Sequence, residues 1–188
     1  MRLADFICQF DTEAMRSPAV GVRLEVDEIR EEVPVHCHRQ GQLVLALKGG
    51  VVCEVDDALW MVPPHCAVWV PGGQMHSIRA TANAQLCYLF VQPDAAALPA
   101  ACCTLAISPL VRELILSLAD EPADYGPDSA TGRKAVVLLE ELAGMPEETL
   151  HLPLPREPRL RRIARLLSEQ PDDRRTLAEW GRAAAMSE

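Results

Sequence analysis

From Val20 to Val91 the chain runs in short stretches of period two. Val20, Val22, Leu24 and Val26 alternate with polar or small residues, and Gln42 to Leu47, Val51 to Val55, Ala67 to Val70 and Gln85 to Val91 are short and rich in β-formers. Such alternation turns one face of a strand into a core and the other outward, a division that helical spacing does not produce. Turn signals separate the runs at Arg39-Gln40-Gly41, Gly49-Gly50, Asp56-Asp57, Pro63-Pro64 and Pro71-Gly72-Gly73. Breaks about 8 to 12 residues apart predict an antiparallel sandwich or small barrel over the first hundred residues.

After Pro99 the period changes. Ser108-Pro109 offers an N-cap and a proline at the first helical position, and Leu110, Val111, Leu114, Ile115 and Leu118 share one face of a helix ending near Asp120. Ala135, Leu138, Leu139 and Leu142 predict a second amphipathic helix ending near Gly144. Two apolar stripes after a barrel need a partner surface, either the barrel of the same chain or another subunit. Pro146, Pro153, Pro155 and Pro158 stiffen the next stretch as a linker. Beyond it, Leu160, Ile163, Ala164 and Leu167 lie on one side of a helix opened by Pro158, and Thr176 with Glu179 spells a capping box for another.

Composition excludes fibres and disordered tails: 49% of the 188 residues are hydrophobic and 24% charged. The net charge of −9 argues against free binding of nucleic acid or acidic membrane by the chain as a whole. Its distribution is uneven, because residues 156–182 carry eight arginines against five acidic residues, a local charge of +3. A run of charges is commonly a solvated helix face, yet this one marks the C-terminal end as a basic segment. No basic stretch followed by an apolar run opens the chain and no membrane-length apolar segment occurs, so a cytoplasmic protein is expected. The seven cysteines (Cys8, Cys37, Cys53, Cys66, Cys87, Cys102 and Cys103) form no CxxC pair and are expected to act as small buried hydrophobes.

The chemistry concentrates in Pro34-Val35-His36-Cys37-His38, followed by Gln42, and in Pro71-Gly72-Gly73-Gln74-Met75-His76. In a strand, positions i and i+2 face the same way, so His36 and His38 both project into a barrel interior, where His76 from a later strand completes a facial set. Imidazoles suit zinc, nickel, cobalt or iron, and Gln42 adds a neutral oxygen or orients a ligand. Lining of an organic-ligand pocket and simple packing are the other readings of the same three histidines. Cys37 should point away from them. His65 belongs to a turn and His151 to the linker, while Trp60 and Trp69 are candidates for the lining of the effector pocket or for core and rim.

These residues resemble the two motifs of the cupin family. His36, His38, Gln42 and Gly49 take the places of the first motif, and Pro71, Gly73 and His76 match the second. The resemblance implies a mainly β fold, an RmlC-like antiparallel barrel followed by helices. It departs at Gln42, where metal-dependent cupin enzymes carry glutamate. An amide there lacks the negative charge and the proton acceptor, which weighs against oxygen-activating catalysis.

The C-terminal end resembles the opening of the DNA-binding domain of AraC-type transcription regulators. Pro158 to Ile163, Thr176 to Trp180 and Ala183 to Glu188 correspond to a leading helix and the first half of a helix-turn-helix, with Ala185 at a turn position often held by glycine and Ser187 capping the recognition helix. That helix and the second helix-turn-helix do not follow, so this chain by itself is not expected to read DNA. Arg39-Gln40-Gly41-Gln42-Leu43, Val62-Pro63-Pro64 and Ala67 to Pro71 are similar to a subgroup of these regulators whose N-terminal sensing domain is a cupin. The resemblance implies an effector-binding domain over residues 1–100, a helical dimerisation or contact region over 101–145, a linker over 146–157, and an incomplete DNA-binding domain over 158–188. It implies a non-enzyme that senses a metal ion or small molecule, forms a homodimer, and binds promoter DNA through a longer protein. A metal-dependent cupin enzyme, a dioxygenase or isomerase, is the alternative.

Overall fold

The computed structural model describes residues 2–3, 6, 10–27, 29, 31–56, 58–148, 150–170 and 172–185, so Cys8 and the cap expected at Ser187 lie outside it. The described chain divides into two compact units, Met1–His151 and Leu152–Glu188.

The first unit holds nine strands in the period-two region and just beyond it: β1 (Ala19–Glu25), β2 (Glu31–His36), β3 (Gly41–Lys48), β4 (Val51–Val55), β5 (Ala58–Met61), β6 (Cys66–Val70), β7 (His76–Ala80), β8 (Gln85–Val91) and β9 (Cys103–Ala106). Helices α1 (Pro109–Ala119) and α2 (Ala130–Ala143) follow, and a short strand β10 (Glu147–Glu148) returns to the sheet. Among the described residues these strands pair antiparallel, and Arg2 adds an isolated parallel bridge to Glu25 at the end of β1. One sheet runs β1-β8-β3-β6-β9-β10, and the other runs β5-β4-β7-β2 within this unit. This is the mainly β barrel with following helices that the two motifs imply.

β8 shows why the sequence pattern is only partly alternating. Leu86, Tyr88 and Phe90 face the barrel interior, packed with Leu24, Val44, Val68 and Ile78. Cys87, Leu89 and Val91, on the other face, join Leu43, Leu105, Val111, Ile115, Leu138 and Leu142 in a second core. Both faces are therefore buried, and the run is apolar throughout, as in strands covered on both sides. The helices settle their stripes on the barrel of their own chain. Ser108 accepts a hydrogen bond from Val111 N–H at the start of α1, and Ser129 does the same for Gly132 at the start of α2.

Two sequence expectations are amended. Strand pairing continues past residue 100, because β9 pairs with β6. The start of the expected linker is also part of the sheet, since Glu147 and Glu148 pair with Leu105 and Thr104. The proline-rich character misses this because ladder hydrogen bonds come from a distant partner, not from local composition.

The second unit contains α3 (Pro158–Glu169) and α4 (Leu177–Ala183). Glu157 caps α3, and Thr176 with Glu179 forms the reciprocal capping box at α4. Trp180 is buried, with the Arg175 guanidinium 3.5 Å above its ring and Arg175 paired to Asp173. Ala185 stands at φ +52°, the left-handed conformation of a helix-ending turn. Among the described residues, no helix is long and apolar enough to cross a membrane.

Candidate metal and effector site

β2 and β7 bring the first two histidines together, with His36 directly opposite His76. The β2–β7 register shifts between Val33, opposite Ile78, and His36. Three residues thus span what two span on the partner, and this bulge lets both Val33 and His36 line the same cavity. His38 lies just past the end of β2. Its carbonyl accepts from Gly73 N–H at 2.7 Å, and a Cβ on Gly72 would stand 2.0 Å from the Arg39 carbonyl oxygen. Glycines in the second motif therefore let its turn lie flat against the loop that carries His38. Gln42 enters from β3, on the same face as Val44 and opposite Val70.

The imidazoles converge. Ring centroids are 4.3 Å apart for His36 and His76, 5.3 Å for His38 and His76, and 5.8 Å for His36 and His38. One nitrogen from each lies within 4.8 Å of the others. Each Nδ1 meets a backbone carbonyl two residues away: His36 with Pro34 at 2.8 Å, His38 with Gln40 at 2.7 Å and His76 with Gln74 at 2.9 Å. A neutral imidazole has one N–H to give, and a carbonyl can only accept, so these contacts assign the proton to Nδ1 and leave Nε2 as a lone pair. Gln42 Oε1, another acceptor, lies 2.9 Å from His38 Nε2 and 3.3 Å from His76 Nε2. The Gln42 Nε2 amide is buried without a hydrogen-bond partner.

Turned end for end, the Gln42 amide would give this unpartnered N–H to the two Nε2 lone pairs, so the cluster is satisfied either by that turn or by a cation among its nitrogens. The donor set fits a transition-metal ion: neutral imidazole nitrogens held in one tautomer by carbonyls, plus an amide oxygen. Burial pushes the His76 pKa down to about 4, and the neighbouring His36 and His38 add to the shift while the Gln74 carbonyl opposes it. His76 is thus neutral and ready to ligate at ordinary pH.

A cavity of about 310 Å³ adjoins the cluster. His36, His38 and Gln42 form its polar part, and Phe6, Phe10, Val33, Ile78, Tyr88 and Phe90 supply most of the rest. Phe6, Phe10 and Phe90 stack on one another at centroid distances of 5.0 to 5.8 Å. The sequence reading missed Phe6, Phe10 and Tyr88 because no motif marks them; only the parity of Tyr88 with Phe90 on β8 hints that they share a face. Trp60 and Trp69 do not line this cavity. Trp60 is in the interior core and stacks on His151 at 4.5 Å, while Trp69 faces α1 and α2 and donates from Nε1 to the Pro99 carbonyl at 2.8 Å. Cys37 is exposed beside the cluster, whereas Cys53, Cys87 and Cys103 are buried, and burial pushes the Cys53 and Cys87 thiols up to about 12.

A barrel that gathers ligand-type side chains beside a half-open, largely apolar cavity is a small-ligand binding module in form. The chain matches the AraC-like ligand binding domain family over residues 19–142, more than half of its length, and belongs to that family. It is 48% identical over 155 residues to the HTH-type transcriptional regulator NimR of Escherichia coli (strain K12), a match covering 82% of this chain and 57% of that protein. The chain thus spans little more than half the length of this curated relative. Among solved structures it is similar to apo ToxT from Vibrio cholerae, with a TM-score of 0.47 at 7% identity over 92% of this chain and 72% of that one. It is also similar to an RmlC-like cupin from Shewanella frigidimarina, with a TM-score of 0.37 at 17% identity over 44% of this chain and 87% of that one.

Proposed function

We propose that this chain is the sensing part of a DNA-binding transcription regulator. His36, His38 and His76 with Gln42 hold a divalent transition metal, and a small-molecule effector occupies the adjoining cavity. The observation that carries the reading is that one nitrogen from each of three imidazoles lies within 4.8 Å of the others, with the Gln42 amide beside two of them, at the polar end of an apolar cavity. A longer protein completes the helix-turn-helix that begins in the second unit and binds promoter DNA as a homodimer in the cytoplasm. The relative's description as an HTH-type transcriptional regulator supports that half of the reading. Occupancy of the barrel changes the affinity of the regulator for its promoter by favouring one of two states.

The donor set also favours a sensor over an enzyme. Gln42 neither takes nor gives a proton in the place where metal-dependent cupin enzymes carry glutamate, so the donor set lacks the carboxylate that such chemistry uses. The test is elemental analysis of protein purified without a metal column or chelator, beside a His36→Ala, His38→Ala double variant. About one equivalent of a transition metal in the parent and none in the variant is expected. No metal in either would remove the metal from the reading and leave the histidines as polar lining of an organic-effector pocket.

A further inference from the structure

Three of the four candidate ligands are borne by strands: His36 ends β2, Gln42 lies in β3 and His76 opens β7. His38 stands past the end of β2, where no ladder holds it, so its direction must be fixed by the loop itself. The fixing contact is that of its Nδ1 with the Gln40 carbonyl at 2.7 Å. Where that carbonyl points depends on how the backbone at residue 40 is held.

The Gln40 side chain provides the hold. It is 0% exposed, and its Nε2 donates to the Thr12 carbonyl at 2.7 Å. A carbonyl only accepts, so the partner settles which way round this amide lies. The anchor is itself fixed: Thr12 begins a short 3-10 turn, Thr12–Ala14, and its carbonyl also accepts from Met15 N–H at 3.2 Å. Gln92 adds a second hook to the same segment. Its Nε2 donates to the Met15 carbonyl at 2.6 Å, while its Oε1 accepts from Arg39 at 3.0 Å.

The other half of the Gln40 amide argues against simple packing. Its Oε1 is buried and has no hydrogen-bond partner among the described residues. A buried polar atom left unmet costs stability, so a position needed only to fill space would be better served by methionine or leucine.

We infer that Gln40 is a positioning residue for the metal: its side chain, fastened to Thr12, sets the carbonyl that aims His38 Nε2 at the ion. The inference rests on the metal reading above and adds to it the residue that holds the one ligand not borne by a strand.

The test uses the whole chain loaded with cobalt(II), read by proton NMR and by competition with a chelating dye. An imidazole bound to cobalt(II) through Nε2 shows its Nδ1–H as a far-shifted, solvent-exchangeable resonance, so each ligating histidine is seen separately. His38→Ala identifies the His38 resonance by its loss. Gln40→Met, similar in length but without a donor, is expected to shift that resonance or broaden it by exchange with water and to leave those of His36 and His76 in place. It should also weaken cobalt binding about tenfold, the lower end of what losing the support behind a ligand costs. Gln40→Glu, which keeps the shape but sets an acceptor against the Thr12 carbonyl, should do the same. Ile115→Val, in the second core, lowers stability without touching this hydrogen-bond chain and should move neither readout. An unchanged His38 resonance in both Gln40 variants, equal disturbance of all three resonances, or the same loss of affinity in Ile115→Val would overturn the role of Gln40 while leaving the metal site standing. Failure of the parent to bind cobalt would overturn the metal reading and this inference with it.

Discussion

His76 is the residue on which site and stability meet. Its imidazole titrates near 6.5 when exposed and at about 4 in the fold, chiefly because burial disfavours the charged ring. As pH falls, the unfolded chain takes up this proton first. The stabilising contribution of neutral His76 is therefore fully present above about pH 6.5, shrinks between about 6.5 and 4, and is gone below that. In chelator, the metal-free chain should lose about 3 kcal/mol across that window by denaturant titration, and the loss should flatten in His76→Gln. Ala185 presents a different residue-scale strain, a Cβ in a left-handed turn at φ +52°. Ala185→Gly should relieve about 1 kcal/mol, seen as slower amide hydrogen exchange through α4.

At the level of elements, the site depends on one contact between loops. Gly72 lies so near the Arg39 carbonyl that a Cβ would stand 2.0 Å away, and the adjoining Gly73 donates to the His38 carbonyl. Gly72→Ala must push the loop after β2 outward and take His38 with it. Metal affinity by competition with a chelating dye should fall about 10- to 100-fold, the range for losing the support behind a ligand, while the circular dichroism of the barrel is kept. The bulge between Val33 and His36 works alongside this contact by turning His36 inward from a strand whose plain alternation would face it the other way from Val33. Strand and helix identities were legible locally, since period two and period 3.6 are properties of neighbouring residues. The bulge, β9 and β10 were not, because each exists only through a partner far along the chain.

For the molecule as a whole, the site ties together β2, β3, β7 and the loop after β2, so a bound ion cross-links both sheets of the first unit. A ligand that binds only the folded state stabilises it by about 2.7 kcal/mol at a hundredfold excess over Kd. Nickel or zinc at that excess should raise Tm by roughly 5 to 11 °C at this size, and the His36→Ala, His38→Ala variant should show no rise. The amino-acid sequence by itself determined the strands from β1 to β8, the helices, the histidines as the candidate ligands, the turn glycines and the basic capped helices at the end. These depend on spacing within a few residues, where backbone geometry dictates which side chains share a face. Only the tertiary structure decided that α1 and α2 cover their own barrel, that Trp69 faces them instead of the cavity, and that the Gln42 amide meets two imidazoles. Only it placed Phe6, Phe10 and Tyr88 around the same space. Those facts depend on which distant surfaces meet when two sheets close on one another, and no local period encodes that.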